Sequence, residues 1–336
     1  MDVSGKNVLI TGGAGSIGRC LSEYFLQNNA EVIRLFDNDE PRLSEFKSKI
    51  DNSRVRFLLG DIRDKERLNR AMEDVDIVIH TAAMKHVDVS EYNPFEAVKT
   101  NIVGLQNVVD CAIDNNVDDL VFTSSDKAVD PANTMGATKL VGEKLFSAGN
   151  AHKGGRDITF SSVRFGNVIG SSQSVVPIFK QQIKEDGKIK LTSKEMTRFF
   201  LTFDQVTELV TGALENAEGG EIFLKKMNAI RIEDLAEAMI DLYASEYGRD
   251  PEDVEIEIVG KRPGETFHEH TMTSKEAERA LESEDLYAIP PDGSSKEIFN
   301  YTGIENFEAS DEVVLSSENA EKLNQKEIKE LLRNST

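Results

Sequence analysis

The chain has no tryptophan, two cysteines and five histidines in 336 residues, and no apolar run of 18 residues. Two cysteines exclude a disulfide-built scaffold. Cys20 and Cys111 both fall in helical patterns and read as small core residues. Without a long apolar run there is no candidate membrane-spanning helix. The N-terminus enters a strand-like segment with no signal-peptide pattern, so the cytoplasm is the expected compartment. Positive charge is scarce as well: 39 Lys and Arg stand against 60 Asp and Glu, a net charge of −21. Phosphate repels such a surface, which argues against nucleic acid and anionic membrane as partners. The histidines show no metal-ligand spacing. His268 and His270 flank Glu269 without a cysteine partner or an HExxH pattern, so no metal site is expected.

What is present alternates strand and helix. Lys6–Thr11 is an apolar run fit for a central parallel strand. Gly12-Gly13-Ala14-Gly15-Ser16-Ile17-Gly18 follows, and then a helical pattern over Arg19–Gln27. Glycines between a strand and a helix let backbone approach a pyrophosphate, and the helix N-terminus offers it free N–H groups. Asp37 closes the second strand (Glu31–Phe36), where a carboxylate accepts hydrogen bonds from adenosine ribose hydroxyls and repels a 2′-phosphate. NAD is therefore the expected cofactor, in preference to NADP. Asp61 and Ile62 follow the third strand (Val55–Leu59), where the adenine ring would lie. The fourth strand (Asp76–His80) ends in Thr81-Ala82-Ala83-Met84-Lys85-His86. Ala82 and Ala83 admit the cofactor, while Lys85 and His86 project over the same edge.

The stretch Val121–Lys139 collects the chemistry. A strand ends in Thr123-Ser124-Ser125-Asp126-Lys127, at the carboxyl edge where open α/β sheets bind ligands. Pro131 breaks the chain, and Gly136-Ala137-Thr138-Lys139 opens a helix. Continuous helices are expected over Phe95–Asn115 and Gly136–Ala151; two such helices on one side of a sheet can pair with a second copy, so a homodimer or higher oligomer is expected. Beyond Gly170 the alternation loosens. Further helices are expected at Val175–Lys184, Phe203–Glu215 and Arg231–Tyr247, and strands at Ile158–Val163, Ile189–Leu191, Glu221–Lys225 and Val254–Val259. Arg262, in the turn Gly260-Lys261-Arg262-Pro263-Gly264-Glu265, is a candidate diphosphate clamp, because guanidinium grips phosphate oxygens in pairs. Thr273–Glu276 reads as a capping box.

Taken together, TGGAGSIG, GDIRD, HTAAMKHV, AVKTNIVG, SSDKAVDPANTMGATK, RFGNVIGS, EMTRFF and GKRPGE resemble the extended short-chain dehydrogenase/reductase family. Within it they are similar to the nucleotide-sugar 4,6-dehydratases of polysaccharide biosynthesis. The resemblance implies an α/β fold with a doubly wound parallel (Rossmann) sheet, a smaller lobe for a UDP-sugar, and a C-terminal arm. The expected division is 1–167 plus about 200–226 for the NAD domain, 168–199 plus 227–284 for the lobe, and 285–336 for the arm. It also implies that Lys139 bonds the nicotinamide ribose, that Ser125 lies near the sugar C4 hydroxyl, and that Asp126 and Lys127 are the dehydratase acid and base. Asn167, Val176, Arg198 and Glu265 join Lys85, His86 and Arg262 as expected UDP-sugar contacts. The family's usual tyrosine, four residues before the lysine, is Met135 here.

The implied reaction removes hydride from sugar C4, eliminates water across C5–C6 and returns the hydride to C6. UDP-N-acetylglucosamine is the expected substrate, with 5-inversion left open. Lys127 as base at C5 and Asp126 as donor to the C6 oxygen require a neutral lysine and a protonated acid, which desolvation favours. An ordinary ion pair between them would defeat that assignment. With Met135 in place of tyrosine, Ser125, a water, or Asp126 through a relay is left to take the C4 hydroxyl proton. The competing readings are a UDP-hexose 4-epimerase, which needs no acid–base pair at C5 and C6, and a non-catalytic NAD sensor.

Overall fold

In the computed structural model, which describes residues 2–261, 264–291, 304–310 and 313–334, the first half is a doubly wound sheet. Its elements run β1 (Asn7–Thr11), α1 (Ser16–Gln27), β2 (Val32–Asp37), α2 (Glu40–Lys49), β3 (Val55–Leu59), α3 (Lys65–Met72) and β4 (Ile77–His80). Then come α4 (Val87–Tyr92), α5 (Pro94–Val98), a π turn (Lys99–Gly104), α6 (Leu105–Asp114), β5 (Asp119–Ser125), α7 (Thr134–His152) and β6 (Thr159–Phe165). The strands lie in the order β3-β2-β1-β4-β5-β6, every neighbouring pair parallel. The order reverses between β1 and β4, which opens a crevice at their carboxyl ends. Central strands are apolar on both faces because helices cover both: Val8, Leu9 and Ile10 of β1 and Ile77, Val78 and Ile79 of β4 are fully buried.

The second half builds a lobe and also returns to the sheet. It comprises β7 (Asn167–Val168), α8 (Val175–Glu185), β8 (Lys188–Leu191), β9 (Thr197–Leu201), α9 (Phe203–Asn216), β10 (Ile222–Lys225), β11 (Ala229–Arg231), α10 (Ile232–Tyr243), β12 (Glu255–Ile258) and α11 (Ser274–Ala277). The last elements are β13 (Leu281–Glu282), β14 (Leu286–Ile289), β15 (Glu308–Ala309) and α12 (Gln325–Asn334). Strand β10 adds to β6 in parallel, and α9 packs beneath it. The lobe has its own core, in which Val176, Phe179, Leu235, Met239, Ile328 and Leu332 join α8, α10 and α12.

The structure refines three expectations. The long helical pattern over Phe95–Asn115 is present as α5, the π turn and α6 in unbroken succession; at the π turn Gly104 sits so close to Ile62 that a Cβ would lie 2.7 Å from its Cδ1. The helix expected from Arg231 starts at Ile232 and gives way after Tyr243 to a 3-10 turn at Ser245–Tyr247; Arg231 ends a strand. The described residues from 285 onward, in the expected C-terminal arm, contribute to both layers: β14 pairs antiparallel with β10, and α12 packs on α10. The buried run Leu286–Ile289 lies between β10 and β13, and β15 is the outer strand on that side.

Candidate active site

The crevice is a cavity of about 760 Å³ along the carboxyl ends of β1, β2, β4 and β5, with the lobe as its far wall. Its floor is the glycine loop. Gly12 has φ +69°, and a Cβ there would fall 2.7 Å from the Ala82 nitrogen, so only glycine fits. At Gly18 a Cβ would meet the Gly12 carbonyl oxygen at 2.5 Å; this glycine packs the helix onto the loop and does not line the cavity. Asp37 knits the floor to β2: its two oxygens accept from the Ala14 N–H at 2.9 Å and the Asp39 N–H at 3.0 Å. A carboxylate retains further lone pairs for a ligand. Asp61 is held by Arg63 through a 2.6 Å ion pair, chiefly through which its carboxyl stays below the ordinary range, and it faces Asn38 across 3.4 Å.

The segment after β4 is fastened from several directions. Thr81 donates its hydroxyl to the Thr11 carbonyl at 2.7 Å. Asn101, on the π turn, accepts the Met84 N–H at 2.8 Å and donates to the Met84 carbonyl and the Thr138 hydroxyl at 3.0 and 2.9 Å. π turns recur where a side chain must be re-aimed into a site. Lys85, pushed down by burial, donates to the Ser172 carbonyl at 2.7 Å. The Ser172 N–H donates to the Ser16 hydroxyl at 3.0 Å, so the loop between β7 and α8 is stitched across to the start of α1.

At the end of β5 the chain turns through a 3-10 turn, Asp126–Ala128. Ser125, Lys127, Met135 and Lys139 line the cavity. Asp126 lies behind them, 2% exposed. Lys139 donates to the Thr123 carbonyl at 2.7 Å and sits 4.7 Å over the Phe122 ring. Burial lowers its ammonium to about 8, against the attraction of Glu143. Ser125 Oγ and Lys127 Nζ both donate to Asp126 Oδ1, at 2.9 and 3.0 Å. Asp126 Oδ2 is buried with no hydrogen-bond partner among the described residues. Burial pushes the Asp126 carboxyl up; Lys127 opposes this and Glu269 adds to it.

The neutral Lys127 expected beneath a bound sugar starts here from a charged neighbourhood. Burial alone would lower its ammonium, but Asp126 at 3.0 Å and Glu269 at 3.5 Å outweigh that and hold it above the ordinary range. Lys127 and Asp126 lie within ion-pair distance, so Lys127 as a base at C5 requires a proton to leave it first.

Beneath this edge lies a buried charge cluster. Arg164 of β6 grips Glu143 of α7 through two 2.8 Å hydrogen bonds and Glu276 of α11 through bonds of 2.7 and 3.1 Å. Glu143 also accepts the Ser124 hydroxyl at 2.6 Å. The cluster thereby fastens β5, one residue before Ser125, to the helix that carries Lys139.

The cavity gathers Gly12, Gly15, Ser16, Ile17, Asp37, Asp61, Ile62, Ala82, Ala83, Lys85, His86 and Asn167 with Ser125, Lys127, Met135 and Lys139. Other expected contacts lie elsewhere. Val176 is 1% exposed in the lobe core. Arg198 donates to the Thr197, Thr266 and Phe267 carbonyls and pairs with Glu269 at 3.3 Å, away from the cavity wall. Glu265 accepts the Thr192 hydroxyl at 3.2 Å. Arg262 lies outside the described residues. Sequence reasoning missed Asn101 and Glu269. An asparagine inside an otherwise apolar helical pattern is a faint signal for the first; nothing local marks the second.

Comparison with known proteins places this geometry. The chain matches the polysaccharide biosynthesis protein family over residues 8–291. It is 44% identical to an uncharacterized membrane protein of Methanocaldococcus jannaschii, over 98% of this chain and 95% of that one; among the described residues here, no helix is long and apolar enough to cross a membrane. It is 42% identical to a UDP-N-acetylglucosamine 4,6-dehydratase (inverting) of Campylobacter jejuni, over 86% of this chain and 84% of the relative. It is 36% identical to a UDP-glucose 4-epimerase of Rickettsia rickettsii, over 97% and 95%. The X-ray structure of Pen from Bacillus thuringiensis superposes with a TM-score of 0.91 at 42% identity, covering 100% of this chain and 99% of that one. Fold, glycine loop and match together make the chain a member of the polysaccharide biosynthesis protein family.

Proposed function

We propose that the protein is an NAD-dependent 4,6-dehydratase acting on UDP-N-acetylglucosamine, with inversion at C5. The observation that carries the reading is Lys127, which lines the cavity beside Lys139 and is backed by the buried Asp126. The similarity to the Campylobacter dehydratase supports the substrate class and the stereochemistry.

The residues fit a dinucleotide. The glycine cradle would be filled by any Cβ at Gly12, and Asp37 stands at the end of β2 where a 2′-phosphate would be repelled. Gly15, Ser16 and Ile17 would hold the pyrophosphate, Asp61 and Ile62 the adenine side, and Lys139 the nicotinamide ribose. When bound, the nicotinamide takes a hydride from sugar C4 and gives it back at C6.

The chain's own residues then handle protons. Met135 has no proton to exchange. Ser125 Oγ lines the cavity and orients the C4 hydroxyl, whose proton leaves to water, because Asp126 takes up one proton only and receives it from Lys127. Lys127 becomes a base at C5 only after one proton crosses its 3.0 Å hydrogen bond to Asp126. That hop converts an ion pair into a neutral pair with no change in total charge, and a desolvating sugar favours the neutral form. The protonated member of the pair then supplies the leaving C6 oxygen. Lys85, His86 and Asn167 are the cavity-lining groups assigned to the UDP-sugar.

A 4-epimerase is the second reading, favoured by the similarity to the Rickettsia enzyme. Mass spectrometry after incubation with UDP-N-acetylglucosamine separates the two: loss of one water supports dehydration, and an isomer of equal mass supports epimerisation. An unchanged nucleotide sugar would leave an NAD-binding scaffold.

The reading extends to a homo-oligomer. Tyr92, Phe95, Val103 and Val141 expose apolar side chains on α4, α5, the π turn and α7, elements that pack together. Light scattering that returns a monomer mass would remove this part. Two free thiols fit a reducing, cytoplasmic compartment; fractionation of the host cell tests that.

A further inference from the structure

The Asp126–Lys127 pair has a second carboxylate behind it. Glu269 comes from a segment tied to the C-terminal region: its N–H donates to Ser317 Oγ at 2.9 Å, and the Ser317 N–H donates to its carbonyl at 2.9 Å. The residue is 6% exposed and does not line the cavity. Its Oε1 lies 3.5 Å from Lys127 Nζ and 3.3 Å from Arg198 Nε. Arg198 is itself immobilised by the carbonyls of Thr197, Thr266 and Phe267.

The four side chains alternate in sign, in the order Asp126, Lys127, Glu269, Arg198. Two anions and two cations cancel. They still cancel after a proton moves from Lys127 to Asp126, because Glu269 and Arg198 balance each other. The proton transfer needed for catalysis therefore buries no net charge, and the field of the fixed pair decides where the proton rests. Glu269 attracts it to the amine, and Arg198 pushes it off. Asp126 Oδ2, buried and without a partner among the described residues, costs an anion more than a neutral carboxyl.

We propose that Glu269 is a positioning residue of this site, the fixed anion that sets whether the mobile proton of the Asp126–Lys127 pair rests on the amine or on the carboxyl. The inference rests on the dehydratase reading and deepens it. The other charged groups around it are His268, whose Nδ1 is 2.8 Å from Thr197 Oγ1 and whose Nε2 is 3.8 Å from Glu318, together with Lys139 of α7 and the Arg164–Glu143–Glu276 cluster below β5. None of them is altered in the test.

The test is the pH dependence of water loss from UDP-N-acetylglucosamine in the unmodified protein, Glu269→Gln and Glu269→Asp, with a thermal melt of each. Glutamine keeps an oxygen for Lys127 and Arg198 but removes the charge. Glu269 pairs with the amine, so losing its negative charge lowers the amine's pKa more than the carboxyl's: the proton shifts towards Asp126, and the alkaline limb of the bell moves to lower pH by about one unit, the acid limb by less. On the alkaline limb kcat falls about tenfold while KM holds. Aspartate keeps the charge and keeps the bell in place. A role confined to holding the fold would lower Tm or kcat without moving the bell, and a folded Glu269→Gln with an unmoved bell overturns the proposal. If Glu269→Gln does not fold, Arg198→Gln decides: removing the other fixed charge raises the pKa of the pair, so an alkaline-shifted bell supports the proposal and an unmoved one overturns it. An unmodified protein that releases no water overturns the dehydratase reading itself, a separate outcome.

Discussion

The two ends of the cavity are built on different principles. At the cofactor end, shape is made by backbone and by residues close in sequence: a strand, a glycine turn, a helix N-terminus and one carboxylate. At the proton-handling end, shape is made by side chains from distant segments. Asp126 and Lys127 follow β5, Arg198 lies on β9, Glu269 precedes α11, and Arg164, Glu143 and Glu276 support the edge from three further elements. A short motif can specify the first end. The second requires the whole chain to be folded, including residues that read as an appended tail.

The difference gives predictions in descending size. Lys127→Ala should remove water elimination, by at least about 100-fold in kcat, while the cofactor end keeps its affinity for NAD. Rapid-quench product analysis with parallel NAD titration checks both halves, and loss of NAD affinity along with turnover would erase the proposed independence of the two ends.

Arg164→Met should cost about 3–5 kcal/mol, because it strands two buried carboxylates; urea denaturation measures it. A cost under about 1 kcal/mol would mean that the cluster does not hold the edge.

Glu276 sharpens the same point through pH. Burial alone would raise its carboxyl, but the hydrogen bonds and charge of Arg164 hold it at about 2 instead of the usual 4.5. A depressed carboxylate stabilises the fold fully above its unfolded pKa. Stability should therefore fall as pH drops from about 4.5 towards about 2, by roughly 3 kcal/mol from this residue. Glu276→Gln should be less stable at neutral pH and flatter across that window in pH-dependent denaturation; a parallel slope would exclude this residue as the cause.

Asp37→Ala should have the smallest effect, raising affinity for NADP relative to NAD about tenfold. Fluorescence titration with both cofactors reads the ratio. Equal affinities before mutation would undo the NAD assignment.

The same contrast explains what could be read from the amino-acid sequence. The glycine loop between β1 and α1 and the first parallel strands were legible because glycine spacing and apolar runs act locally. The capping box at Thr273–Glu276 was legible too and is present. Its second duty was not: Glu276 also grips Arg164, a contact across 112 positions that no pattern announces. The π turn escaped because its residues fit a helical period. The charge balance at Lys127 was legible only in part: Asp126, its sequence neighbour, opposes burial most, and Glu269, which adds to it, comes from a distant segment.

The serine stitch has a practical outcome for the life of the cofactor. The loop from Gly170 to Ser174 turns back on itself at Gly170 and Gln173, both at positive φ, and is buttoned by Ser172 to Ser16 and Lys85. Ser16, Lys85 and Ser172 all line the cavity, so a bound dinucleotide is expected to rest against that fastening and to leave slowly. For a reaction that repays its own hydride, such a tenant never needs replacing, and the prosthetic group should outlast many turnovers. Washout of radiolabelled NAD during steady catalysis would time its stay, and release once per cycle would show the buttons to be undone each time.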